Sequence, residues 1–170
     1  MPFFQRRRGG SGGFGVALLA MQLFNFGFDR IPPVTLVTIL GQMAIFLGFG
    51  DLRAWFPSSF DVCISSHLVV KQGQWRRLIL GSLYHSNDMH LYYNMVSLLW
   101  KGSVLEKKFK SVYYGYLLIV FTCLTSIVLV GLNILMAEVF GDQSYQLQCA
   151  VGFSGNYMYI LAVSYCTESC

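Results

Sequence analysis

The apolar residues of this chain are gathered into long blocks, and this arrangement limits the fold more than any other feature of the sequence. One block, Val112 to Phe140, exceeds the roughly 20 residues that a helix needs to cross a bilayer. Charged residues make up only 12% of the chain, about half the share found in soluble domains. The sequence therefore predicts an all-α fold, a polytopic bundle of membrane helices that contacts the lipid bilayer.

The blocks predict about four spanning helices. The first block, Phe14 to Phe28, is short for a span and is followed by Pro32 and Pro33. It is therefore either an interfacial helix or the lower part of a first span that the prolines break. The other expected helices are Val34 to Gly50, Met89 to Leu105, Val112 to Phe140 and a helix that begins at Cys149.

Basic residues predict the orientation of the bundle. Arg6, Arg7 and Arg8 favour a cytosolic N-terminus, and the lysines around the end of the second span favour a cytosolic turn there. The third span then leads outward, so the segment around Ser154 begins on the lumenal side. The arginine cluster has no aromatic surface beside it and gives no indication of nucleic-acid binding. The sequence gives no indication of the oligomeric state.

The five cysteines predict neither a disulfide framework nor a metal site. No pair has Cys-x-x-Cys spacing; Cys63 falls in a loop, and Cys123 and Cys149 fall in or beside apolar runs. We interpret the cysteines as small apolar residues. No metal and no cofactor is expected.

Three polar side chains lie on or beside the second expected spanning helix. His90 and Asn94 are four residues apart and share a helix face, and both can donate hydrogen bonds to a developing oxyanion. His85 lies about a turn and a half earlier. Two other interpretations stay open. The polar groups could join helices across the membrane, or the histidines could bind a metal, although no carboxylate or thiolate stands at a helpful spacing.

Ser154 lies inside another apolar segment, in the motif Gly152-Phe153-Ser154-Gly155. Polar groups in a membrane-spanning segment carry a high desolvation cost, so by default they indicate a function. A serine between glycines is also typical of close helix packing. The motif differs from the Gly-x-Ser-x-Gly turn of soluble hydrolases, because Asn156 replaces its last glycine.

Taken together, these features resemble the rhomboid family of intramembrane serine proteases. The matching residues are, in order, Trp75-Arg76, His85-x4-His90-x3-Asn94, Glu106 and Gly152-Phe153-Ser154-Gly155. Three further runs, at 31–36, 90–95 and 149–155, are similar to the endoplasmic-reticulum branch of the family. The resemblance implies a basic cytosolic N-terminus at 1–13 and a partial rhomboid domain at 14–155, with about four of the usual six spans.

The resemblance also implies a role for each matching residue. Ser154 would attack a peptide bond of a transmembrane substrate, and His90 and Asn94 would form the oxyanion hole together with the N–H of the serine. The residues with implied structural roles are His85, Trp75, Arg76, Glu106, Gly152 and Gly155.

The catalytic base is the part of the family pattern that this sequence lacks. Rhomboid proteases use a histidine on the sixth helix, whereas no histidine follows Ser154 here. The tail at 156–170 diverges from the family, which suggests a retained intron, an alternative exon, a gene-model error or a lineage that lost its last helices. The chain as written is therefore expected to be inactive.

Two functions remain open. The first is the serine-type endopeptidase of the family, acting on transmembrane proteins in the endoplasmic-reticulum membrane. The second is a non-catalytic rhomboid-like protein that binds client transmembrane helices. A channel or transporter fits less well, because the sequence has neither paired intramembrane carboxylates nor an internal repeat.

Overall fold

The computed structural model describes residues 13–48 and 59–155, which form a bundle of α-helices as the sequence predicts. Within those residues no β-strand forms, and Ile64 and Ala150 make an isolated β-bridge. The tail at 156–170 and all of the basic N-terminus except Gly13 lie outside the described residues. The α-helices are α1 Phe14–Phe26, α2 Pro33–Leu47, α3 Ser59–Val62, α4 Arg77–Leu83, α5 Asp88–Ser97, α6 Ser103–Phe109, α7 Ser111–Phe140 and α8 Ser144–Leu147.

The longest helix, α7, carries a single buried stripe. It has 30 residues, and among the described helices it is the one that is by itself long and apolar enough to cross a membrane. The buried side chains recur every three or four residues, the spacing of one helix face. They are Tyr114, Leu118, Thr122, Ser126, Val130, Asn133 and Ala137. The other faces expose apolar side chains such as Val112 and Ile119, which suits contact with lipid.

Helices α5 and α6 form one continuous run. A π-helical turn, Leu98–Gly102, joins them without leaving the right-handed helical conformation. At 1.5 Å per residue the run from 88 to 109 is about 33 Å long, which is enough to cross the apolar core of a bilayer. The helix expected over Met89 to Leu105 lies inside this run.

Helix α1 lies along α5 and runs parallel to it. At its start, the Gly15 N–H donates to Oδ2 of Asp88 at 3.1 Å. Towards its end, the ring of Phe26 meets the ring of Trp100 edge-on, with centroids 5.2 Å apart. Leu19 is fully buried between these two points. The first apolar block is thus a separate helix packed beside α5, an arrangement that the two sequence-based interpretations did not include.

Glu106 joins the end of α6 to the start of α2. Its carboxylate is 2% exposed. Oε1 accepts from the Val34 N–H at 2.9 Å, and Oε2 accepts from the N–H and the hydroxyl of Thr35, both at 2.8 Å. The first N–H groups of a helix have no partner within the helix, and the helix dipole favours an anion there. Glu106 therefore caps α2 from a different helix.

Replacing Glu106 with alanine is expected to destabilise the bundle by about 3 kcal/mol, because three buried donors would lose their acceptor. Glu106→Gln keeps one acceptor oxygen and should cost less. The measurement is thermal unfolding of the purified protein in detergent micelles. Lys107→Ala, at the exposed neighbouring position, is the matched control. Equal unfolding temperatures for Glu106→Ala and Lys107→Ala would contradict the capping role.

Candidate functional site

The start of α5 positions His90 and Asn94 one turn apart. Asn87 caps the helix, because its Oδ1 accepts from the His90 N–H at 2.8 Å. The Asn94 Nδ2 donates to the carbonyl of His90 at 2.8 Å. Asn94 is buried and His90 half-buried. Local hydrogen bonds at the helix start therefore fix this pair of possible oxyanion donors.

The imidazole of His90 is held between two neighbours. Its Nδ1 lies 3.1 Å from the Ser86 hydroxyl. If Nδ1 accepts that proton, Nε2 carries the ring hydrogen and can donate it to a substrate oxygen. The ring of His85 lies edge-on to His90 with centroids 5.2 Å apart.

His85 is a neutral, buried side chain. Burial first, and the nearby His90 second, lower the pKa of His85 to about 4. Its two ring nitrogens have no hydrogen-bond partner among the described residues. Metal binding by His85 and His90 was one of the interpretations of the sequence. No group of three ligating side chains forms in the part of the chain that the structure covers.

The segment that carries Ser154 reaches the His90 ring through Gly152. A Cβ on Gly152 would lie 2.5 Å from the Cε1 of His90, and its φ of +128° is one that other residues rarely adopt. The Gly152 N–H donates to the carbonyl of Gly81 at 2.9 Å. The structure thus brings together the serine motif and the His90 helix, with Phe153 buried and Ser154 exposed.

Gly155 allows a second close approach. A Cβ at this position would overlap the side chain of Thr125 on α7. The two glycines of the motif therefore lie against different helices, Gly152 against α5 and Gly155 against α7. Ser154 is held between these two contacts.

Cys63 and Cys149 form a disulfide, with Cα atoms 5.3 Å apart. The interpretation of the cysteines as small apolar residues is wrong for this pair. The Ile64 N–H donates to the Ala150 carbonyl at 2.8 Å, and the Ala150 N–H donates back at 3.0 Å. The expected topology places both cysteines on the lumenal side. That shared side could have indicated the disulfide, which the spacing of the cysteines in the sequence did not predict. Cys123 is a free thiol.

Trp75 and Arg76 lie at the entry to α4 with exposed side chains. The contact between this segment and the loop that carries Cys63 comes instead from Arg77. Its Nη1 donates to the Cys63 carbonyl at 3.0 Å, and its Nε donates to the Gln74 Oε1 at 2.6 Å. Arg77 is a residue that the motif comparison did not single out.

These contacts provide some of the groups that an acyl-transfer reaction needs. An exposed serine hydroxyl stands in a segment that touches a helix carrying two hydrogen-bond donors, and such donors can stabilise a tetrahedral oxyanion. The proton of the serine needs a base as well. All three histidines of the sequence, His67, His85 and His90, precede the serine, and two of them lie on the donor side.

Comparison with known proteins gives one family and several curated relatives. The Rhomboid domain family matches residues 72–168. Rhomboid-related protein 4 of Rattus norvegicus is 40% identical over 141 residues, which cover 83% of this chain and 43% of the relative. The Homo sapiens protein of that name is 38% identical over 143 residues, with 83% and 43% covered. Rhomboid-like protein 14, mitochondrial, of Arabidopsis thaliana is 30% identical over 158 residues, with 90% and 46% covered.

The chain therefore spans less than half the length of these curated relatives. No solved structure gives a significant match.

Gly152→Ala is expected to displace the serine segment, because the added methyl would collide with the His90 ring at an unfavourable backbone angle. A loss of about 2 kcal/mol in unfolding free energy is the expected size. Gly131→Ala is the matched control, since a Cβ there has open space around it. Thermal unfolding in detergent measures both variants. If Gly152→Ala melts no lower than Gly131→Ala, the close contact with His90 does not exist.

Proposed function

Because the chain belongs to the rhomboid family, we propose that Ser154 is the nucleophile of an intramembrane serine endopeptidase that cleaves transmembrane proteins. The serine Oγ would attack the carbonyl carbon of a substrate peptide bond, and the carbonyl oxygen would become an oxyanion. The single observation that carries this proposal is the contact between Gly152 and the His90 ring. It brings the serine motif to the helix that carries both side chains proposed to stabilise that oxygen.

The oxyanion donors proposed here are His90, Asn94 and the N–H of Ser154. The Asn94 amide has two hydrogens, and the bond to the His90 carbonyl uses one of them. The other hydrogen remains able to donate to the substrate. Removing one such donor from a serine hydrolase typically costs about 10²- to 10³-fold in rate.

The base is assigned to a histidine that these 170 residues do not supply. His85 and His90 stand with the oxyanion donors, and one imidazole cannot both hold the oxyanion and take the serine proton. In a soluble serine protease the loss of a triad member costs on the order of 10⁶ in rate. On this proposal, the chain by itself binds substrate and cleaves it very slowly.

A second candidate function is the binding of client transmembrane helices without cleavage. An apolar cavity of about 290 Å³ lies beside Phe153, and α2, α4 and α7 contribute its other walls. Its lining includes Thr38, Ile79, Leu118 and Ile119. Such a cavity suits the side chains of a client helix.

We propose that the end of the bundle at which α5 begins faces the lumen of the endoplasmic reticulum. Disulfides persist in oxidising compartments, and Cys63–Cys149 is near this end. Lys107 and Lys108 lie at the opposite end of the run from 88 to 109, where the cytosol would be. The contact of Gly15 with Asp88 supports a start of α1 at this same end. The cytosolic N-terminus expected from the arginines stays a prediction, because Arg6, Arg7 and Arg8 lie outside the described residues.

The endopeptidase proposal is tested with a chimera in which residues 1–155 continue into the remaining sequence of the rat relative. In proteoliposomes the chimera is expected to cleave a transmembrane reporter, and Ser154→Ala is expected to abolish cleavage. His90→Ala and Asn94→Ala should each lower the rate about 10²- to 10³-fold. Ser144→Ala, an exposed serine on α8, is the control.

An inactive chimera, or equal cleavage by the Ser154→Ala variant, would contradict the protease function. The binding function predicts that the 170-residue chain and its Ser154→Ala variant crosslink to the reporter equally well. A chain that captures no reporter in the membrane would contradict that second function.

A further inference from the structure

The segment before Ser154 is attached to residues 63–66 at three positions, Gln146, Cys149 and Ala150. The hydroxyls of Ser65 and Ser66 donate to the Gln146 carbonyl at 2.8 and 3.2 Å. The disulfide follows at Cys149, and the paired backbone bonds follow at Ala150. Two residues later, Gly152 reaches both the Gly81 carbonyl and the His90 ring. The approach to the serine is therefore built on long-range contacts.

The partner side of these contacts is itself anchored. The Cys63 carbonyl accepts from Arg77 at 3.0 Å. A Cβ on Gly81 would lie 2.6 Å from Ile64 Cγ1, so the loop packs tightly on α4. Helix α4 is bound in turn to α7, because the Ser126 hydroxyl donates to the Leu78 carbonyl at 2.7 Å. Residues 63 and 64 thus form a fixed support.

The backbone pairing within this attachment is short. The β-bridge between Ile64 and Ala150 is isolated, and two strands alone are marginally stable at best. A slip of one residue would turn each side chain to the opposite face and would take Gly152 off the His90 ring. The disulfide opposes that slip, because it links Cys63 covalently to Cys149, and each cysteine is the residue before its partner in the bridge.

We propose that the Cys63–Cys149 disulfide is a positioning clamp that sets the register of residues 149–152 and so holds Gly152 against His90. Cys63 and Cys149 are then positioning residues for the nucleophile, a role that rests on the proposed function of Ser154. The clamp acts through geometry, and neither sulfur takes part in the chemistry of peptide cleavage.

The test begins with the redox state of the purified 170-residue chain. Thiols are alkylated before reduction, and peptides are then mapped by mass spectrometry. Cys63 and Cys149 are expected to be blocked together, whereas Cys123 is expected to be alkylated. Free thiols at 63 and 149 in the purified protein would overturn the proposal.

The second step measures the contact itself. The protein is labelled with ¹³C at the histidine Cε1 position, which gives three signals, and a His90→Gln variant identifies the one from His90. A phosphine reductant then opens the disulfide, giving two thiols while the phosphine takes up oxygen from water. The His90 signal is expected to shift on reduction and to return on reoxidation with oxidised glutathione.

Two variants give the step its controls. In Cys63→Ser/Cys149→Ser the His90 signal should lie at the reduced position whether or not reductant is present. In Cys123→Ser it should respond as in the unmodified protein.

A His90 signal that does not move when the disulfide opens would overturn the clamp. A shift of the His67 signal alone would overturn it too, because the disulfide would then order the loop without positioning the serine segment. None of these readings requires cleavage of a substrate. An inactive chimera would therefore contradict the protease function and leave the test of the clamp intact.

Discussion

The helical run from Asp88 to Phe109 holds the bundle together because a carboxylate near each of its ends satisfies the start of another helix. Asp88 accepts from the first turn of α1, and Glu106 accepts from the first turn of α2. In a membrane no water is available to the unpaired N–H groups of a helix start, so their partners must come from the protein. These two side chains tie the starts of the two apolar helices that precede the site to opposite ends of the run.

The same run carries the donors of the candidate site, and close backbone approaches bring the other parts to it. At Gly15, α1 comes against the backbone of Asp88 so closely that a Cβ would overlap it. At Gly152, the serine segment comes against the His90 ring. Polar groups at membrane depth need partners within short range, and residues without side chains let backbones come that near. Packing and chemistry therefore depend on the same positions.

The sequence predicted those features that depend on a single segment of the chain. Block length gave the α7 helix, and four-residue spacing gave the shared face of His90 and Asn94. It failed where two distant segments must be paired. The disulfide between Cys63 and Cys149, and the packing of α1 along α5, depend on three-dimensional contacts that neither periodicity nor local spacing encodes. Arg77 was missed for the same reason, because its acceptor is a backbone carbonyl in another loop.

The two halves of the candidate site consequently differ in what they require. The half that carries His90 and Asn94 is local. Hydrogen bonds link Asn87 to His90 and His90 to Asn94 within two turns of α5, so this arrangement forms whenever the helix forms. The serine half contacts distant segments: Cys149 and Ala150 are joined to residues 63 and 64, and Gly152 bonds to Gly81 on α4. Changes in residues 62–81 should therefore act on the segment of Ser154 before they act on His90 and Asn94. A substitution far from Ser154 in sequence can then impair the site although every residue that contacts a substrate is intact.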